Sequence, residues 1–269
     1  MVALVLPRLI SFEGAGRRSA SVAERNVAAL KSAYWIVLIS GFFEPLLYLL
    51  SIGVGVGDLV GDLTLPGGRV VEYAAFVAPA MLASAAMSGA LSETTFNFFG
   101  KMKYMKLYDG ILATPVKPFE IALGELMWAM VRGSLYSAAF LVVMVALDLT
   151  TGPRALAAFP AAVLVGFAFG GIGMALSTFM RGWQDFDLVG SVQFALFLFS
   201  GTFVPAESYP AALRWVVEVT PLYRAVDLIR GISTGAFGAV QWLDIAYLLV
   251  VMGLGLAVAA RRMTKLLCK

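Results

Sequence analysis

Six apolar runs, each near the length needed to cross a bilayer, constrain this chain more than any other feature. At 1.5 Å per helical residue, about 20 residues cover roughly 30 Å of hydrocarbon. The runs are 34–56, 73–99, 119–147, 156–180, 188–204 and 240–260. In lipid the backbone must satisfy its own hydrogen bonds, so isolated spans of this kind are helices. The expected fold is all-α and integral to the membrane, with six transmembrane helices over 34–260. A hydrophobic content of 60% over 269 residues exceeds what one soluble core of this size buries. The opening stretch "MVALVLPRLI" is short, broken by Pro7 and without the marks of a signal peptide, so it is expected to belong to the mature chain.

The sidedness follows from the basic residues. Arg8, Arg17, Arg18, Arg25, Lys31, Lys101, Lys103, Lys106, Lys117, Arg181, Arg261, Arg262, Lys265 and Lys269 fall on one side, fourteen of the twenty Lys and Arg residues. Arg69, Arg154, Arg214, Arg224 and Arg230 fall on the other, and Arg132 lies within a span. Positive residues stay inside. Both termini are therefore expected in the cytoplasm of a plasma (inner) membrane protein, with 1–33 and the basic tail 261–269 on that side. The chain has no histidine and one cysteine, Cys268, which excludes disulfide frameworks, histidine metal sites and His-based acid/base chemistry. The positive charge forms no aromatic-interleaved patch, so nucleic acid is not an expected partner.

The cytoplasmic segment 100–118 contains "KMKYMKLYDGILATPVKP". Lys101, Lys103 and Lys106 alternate with Met102, Tyr104, Met105, Leu107 and Tyr108, so a short helix here carries basic and apolar faces. Pro115 and Pro118 end it. Two readings fit: a basic loop touching anionic lipid, or a docking helix for a cytoplasmic protein. Residues 20–32, "ASVAERNVAALKS", show a Ser21-x-x-Glu24 capping box and apolar Val27, Leu30 and Tyr34 at helical spacing. They read as an amphipathic helix at the inner interface.

On the opposite side the fifth run is short and ends at Val204-Pro205. The segment 205–233 after it reads as two short helices broken at Pro221, too apolar for water and too short to span, hence a re-entrant pair in the outer leaflet. Arg224, Asp227 and Arg230 recur at i, i+3 and i+6, a spacing that suits a small ion network. Within the spans, Glu44 and Arg132 both lie deep enough to be costly alone, and a pairing between them is expected. Gly166, Gly170 and Gly173 mark close helix packing. No G-x-x-x-x-G-K-[ST] phosphate loop occurs, so no ATP site is expected in this chain.

Four stretches resemble the membrane subunits of type 2 ABC exporters, in the branch of the nodulation protein J and daunorubicin-resistance permeases: "ERNVAAL" with "FFEPLLYLLSIGVGVG" at 24–57, "APAMLASAAMSGALSETTFNFFGKM" at 78–102, "LYDGILATPVKPFEIALGELMWAMVRG" at 107–133, and "GTFVPAESYPAALRWVVEVTPLYRAVDLIRGI" at 201–232. The resemblance implies an interfacial connecting helix before the first span, a coupling helix between the second and third, and a re-entrant pair before the sixth. It implies that Lys101, Lys103, Tyr104, Lys106, Leu107 and Tyr108, with Glu24 and Arg25, meet a cytoplasmic ATPase.

The function expected on this footing is ATP-driven export by alternating access, without catalysis by this chain. Two ATPase subunits would bind the ATP and magnesium, and a second permease, identical or paralogous, would complete the pathway. Phe42, Phe43, Phe194 and Phe197, with Phe199 and Met174 nearby, suggest an amphipathic lipid-like, glycolipid or drug-like substrate. The alternative is an ion-coupled carrier or channel working without an ATPase, although no inverted repeat relates 34–147 to 156–260.

Overall fold

The computed structural model describes residues 19, 21, 22, 25, 43, 46, 47, 49–65 and 69–267. Four of its helices are long and apolar enough to cross a membrane: α1 (Tyr73–Tyr104), α3 (Pro118–Ala146), α4 (Gly152–Ser177) and, after shorter elements, α8 (Ala239–Leu267). Between them lie α2 (Leu107–Leu112), α5 (Asp185–Leu198), α6 (Ala211–Val219) and α7 (Pro221–Thr234). The expected first run, 34–56, falls largely outside the described residues. Its end is a π-helical turn at Leu49–Val54 followed by a helical turn at Gly57–Val60.

The all-α expectation needs one correction. A two-stranded antiparallel hairpin, β1 (Leu63–Leu65) and β2 (Arg69–Val71), pairs Leu63 with Val71 and Thr64 with Val70. Its signal is in the sequence: short apolar runs flank Pro66-Gly67-Gly68, and turn residues between such runs favour a hairpin. Leu63 and Val71 pack on the core beside the start of α1.

The core is built around α1, the most enclosed of the four long helices, which packs against α3, α4 and α7. Its lower part winds through two π-helical turns, Glu93–Asn97 and Gly100–Tyr104. The Thr94 and Thr95 hydroxyls donate back to the carbonyls of Ala90 and Leu91 at 2.7 and 2.5 Å, the kind of side-chain competition that bends a helix. Gly166, Gly170 and Gly173 do mark close packing. A Cβ on Gly170 would meet Leu126 at 2.5 Å, one on Gly166 would meet Met130 Sδ at 3.0 Å, and one on Gly173 would collide with the Thr94 hydroxyl. The tightest helix approach was not anticipated: α4 and α8 touch through backbone, where a Cβ on Gly255 would lie 2.5 Å from the Gly171 carbonyl carbon.

Helix limits shift in physically readable ways. The fifth run forms a helix only over Asp185–Leu198, because Ser200-Gly201-Thr202 turns out of it: Gly201 adopts φ +68° and its carbonyl accepts from Arg230 Nη2 at 2.8 Å. The segment expected as a basic tail continues α8 to Leu267. There Arg262 donates to the Thr178 carbonyl at 3.2 Å and lies 4.2 Å over the Phe179 ring. α6 and α7 break at Pro221 as expected. Thr220 ends one helix and caps the next, its hydroxyl accepting the Tyr223 N–H at 3.3 Å. α6 buries Val217 alone, whereas α7 buries Leu222, Ala225, Val226, Leu228 and Ile229 against three long helices.

Candidate functional site

Glu125, near the base of α3, organises the lysine-rich end of the bundle. Its side chain is 5% exposed, and each carboxylate oxygen holds a different cation: Arg25 Nη2 on Oε1 at 2.9 Å and Lys101 Nζ on Oε2 at 2.7 Å. A buried carboxylate is tolerable only with such partners. Three segments distant in sequence thus converge on it: the helical residues around Arg25, the last turn of α1, and α3. The convergence is steric as well. A Cβ on Gly124 would lie 2.6 Å from the Ser19 carbonyl oxygen and 2.7 Å from Val22 Cβ, so the N-terminal helical segment crosses α3 where a side chain is missing. Ser19 and Ser21 are both helical, so Ser21 does not sit at the expected N-cap. Glu24 lies outside the described residues.

The loop between α1 and α3 divides into an inner and an outer face. Lys106 takes the left-handed conformation, φ 48°, and separates the π-helical end of α1 from α2. The expected helix through Lys101 and Lys103 is therefore two pieces. Tyr108 is fully buried, its ring 5.2 Å from that of Phe98. Burial pushes its phenol well above the ordinary pKa, and the Glu125 carboxylate adds to that rise. Tyr108 has no surface to offer a partner, and Lys101 is engaged by Glu125; these two expected contact residues instead hold the loop to the bundle. The outer face consists of Lys103, Tyr104, Met105, Lys106, Asp109 and Gly110, followed by Ala113–Pro115. Leu107 is half-buried. Glu120 caps α3, accepting the Lys117 N–H at 2.8 Å, with Pro118 as its first residue.

A second connection runs from the same loop to the turn before α5. Trp183 stacks on Tyr104 and meets Phe96, Phe99 and Phe186 at centroid distances of 4.7 to 5.5 Å. Lys103 donates to the Arg181 carbonyl and lies 5.3 Å from the Phe99 ring. Higher up, Gln193 Nε2 donates to Ser88 Oγ at 2.8 Å. These contacts join α5 to α1, while no residue of α5 is buried within the chain. Phe194 is 59% exposed and Phe43 52%; Phe197 packs edge-on against Phe203 at 5.3 Å. Met174 is fully buried in the core. Phe42 lies outside the described residues.

Inside the bundle Arg132 forms its ion pair with Glu93 of α1, and its Nη2 lies 3.2 Å from the Tyr136 hydroxyl. Glu44, the partner expected from the sequence, lies outside the described residues. Arg224, Asp227 and Arg230 make no direct hydrogen bond or ion pair with one another. Arg224 reaches Asp244 of α8 at 3.2 Å, Asp227 accepts from Gln241 at 3.0 Å, and Arg230 donates to the carbonyls of Phe76 and Gly201 with its guanidinium 3.8 Å over the Phe76 ring. The Phe76 carbonyl lies in the first turn of α1, and Arg230 reaches it from α7. Arg224 and Asp227 thus fasten α7 to α8, and Arg230 fastens it to α1 and to the turn at Gly201.

Sequence reasoning missed Glu93, Glu125 and Asp244. Each is an acid within an apolar run, the signal that singled out Glu44. Among the described residues no group of three Cys, His, Asp or Glu side chains could hold a metal ion.

A bundle of long apolar helices with a braced basic loop at one end and a polar-bolted helical wedge at the other is the architecture of a multi-pass membrane transport subunit. Residues 21–233 match the family described as ABC-2 type transporter, and the chain belongs to that family. Among curated proteins it is similar to nodulation protein J of Rhizobium leguminosarum bv. trifolii, 34% identical over 80% of each chain. It is also 31% identical to nodulation protein J of Rhizobium meliloti (strain 1021), over 80% of this chain and 81% of that one. It is an ABC transporter permease of the branch that contains these proteins.

Proposed function

We propose that this chain is the membrane half of an ATP-driven exporter, moved from the cytoplasm through the loop 100–118. The observation that carries the reading is the split of that loop into an anchored inner face and an open outer one. Glu125, Lys101 and Tyr108 make the loop rigid with the bundle, so a push on Tyr104, Met105, Lys106 or Asp109 moves helices rather than bending a tether. Two such chains, identical or paralogous and each with six spans, both ends in the cytoplasm and α6–α7 re-entrant from outside, would enclose a pathway. Two ATPase subunits, carrying ATP and magnesium, would drive it between inward and outward access.

The aromatic contacts of Trp183 give the motion a route to α5, which buries no residue fully and suits a pathway wall or a face toward the second permease. With Phe43 and Phe194 exposed, the cargo this surface favours is amphipathic: lipid-like, glycolipid or drug-like. A transporter moves cargo only through its different affinity in the two states together with the hydrolysis cycle.

The test is co-purification in mild detergent. An ATPase retained by the native chain and lost on Met105→Asp with Lys106→Glu supports the reading. Nucleotide-independent transport by the chain alone, driven by an ion gradient, would replace it with an ion-coupled carrier.

A further inference from the structure

At the end of the bundle opposite the lysine loop, a cavity of about 600 Å³ opens between α4, α7 and α8, within the size range of small-molecule sites. Its floor is apolar: Ala157, Ala161 and Leu164 along α4, Ile232 of α7 and Ile245 of α8. α4 and α8 both start at this end and meet through backbone only deeper, at Gly171 and Gly255; the cavity is the space left between them above that crossing. From Arg154 to Leu164 it follows α4 for about 15 Å, long enough to hold much of an acyl chain.

The rim supplies the opposite chemistry. Arg154 is the third residue of α4 and is exposed. Among the described residues it makes no hydrogen bond or ion pair. Its position is nevertheless set: a Cβ on Gly235 would come within 2.6 Å of its Nη2, and Gly235 has φ +75°, so the guanidinium lies over a residue that leaves it room. Beside the rim, Phe237 and Trp242 pack edge to face at 5.4 Å, with Trp242 64% exposed. Exposed tryptophan at the start of a span marks headgroup depth.

We infer that this groove is a binding site for an anionic phospholipid, with one acyl chain laid along α4 from Ala157 to Leu164 and the headgroup phosphate against Arg154. On the sidedness proposed above, the lipid comes from the outer leaflet. The site stands apart from the lysine loop and from α5, and does not depend on which motor or cargo the transporter uses.

The experiment uses the full-length chain in phosphatidylcholine nanodiscs doped with phosphatidylglycerol bearing a diazirine in its acyl chain, or with phosphatidylcholine bearing the same chain. Photolabelled positions are mapped by peptide mass spectrometry. The expected result is phosphatidylglycerol labelling concentrated on 157–164 and around Ile245. Arg154→Gln lowers it about fivefold, as loss of one basic contact implies; Arg154→Lys retains most of it, and Ala161→Trp removes it by filling the groove. If Ala161→Trp does not elute as the native species, Ala157→Phe serves in its place. Equal labelling by the two lipids, labelling spread evenly over the bundle surface, or indifference to Arg154→Gln each overturns the site.

Discussion

Tyr104 and Trp183 lie face to face, their ring centroids 5.1 Å apart and their planes within 7°. One residue ends α1 and the other sits in the turn that starts α5, so the stack fastens the basic loop to the turn between α4 and α5. Phe96, Phe99 and Phe186 surround it, and Lys103 closes one side on the Arg181 carbonyl.

Replacing the indole tests this clasp. Aromatic pairs contribute about 0.5–1.5 kcal/mol beyond area burial, and Trp183 is 43% exposed, so Trp183→Ala is expected to cost about 2 kcal/mol. Hydrogen exchange should then quicken together in 98–106 and 181–187, with Trp183→Phe keeping much of the protection. Faster exchange confined to 181–187 would mean that the clasp does not hold the loop.

Glu125 is the more expensive residue to lose. Glu125→Gln leaves Arg25 and Lys101 beside a neutral amide, and breaking a buried pair from one side costs about 3–5 kcal/mol. Lys101→Met leaves Arg25 to answer the carboxylate and is expected to cost less. A thermal-unfolding cycle on Glu125→Gln and Lys101→Met should show a coupling of about 1–3 kcal/mol; strict additivity would separate the two residues.

Arg132 and Glu93 provide an intramembrane cycle. Each neutralisation alone, Arg132→Gln or Glu93→Gln, leaves the other charge unpaired among apolar helices, and the membrane-inserted yield should drop several-fold. The double variant should recover part of it. Combining Arg132→Gln with Glu44→Gln asks the same of the partner expected from sequence, and an additive result there alongside recovery with Glu93→Gln assigns the pair.

Two glycines in one helix turn predict opposite outcomes. Gly255→Ala drives a methyl into the backbone of α4 at Gly171 and is expected to cost about 1–3 kcal/mol, as overpacking does. Gly253→Ala meets nothing within 4 Å and should be neutral or stabilising by up to about 1 kcal/mol through helix propensity. Equal effects in detergent melting curves would deny the backbone contact.

The linear pattern determined the long apolar helices, because a run of about 20 predominantly apolar residues satisfies its backbone in lipid by forming a helix. It determined where the basic loop lies between α1 and α3 and that α6 and α7 break at Pro221, since proline acts locally and needs no tertiary partner. It also contained the resemblance that the family match bears out.

Pairing was decided only by the folded chain. Spacing of three and six residues placed Arg224, Asp227 and Arg230 near one another on one helix, yet each found a better partner on a neighbouring element, where burial raises the value of a charge-assisted bond. Tyr108 and Lys101 read as surface residues in a basic loop, and the fold turned them inward because Glu125, 24 residues beyond Lys101 in sequence, required a cation and a dry environment had to be filled. The positions of charges along a chain are local facts. Which of them neutralise one another depends on how helices far apart in sequence cross, and that is settled by packing.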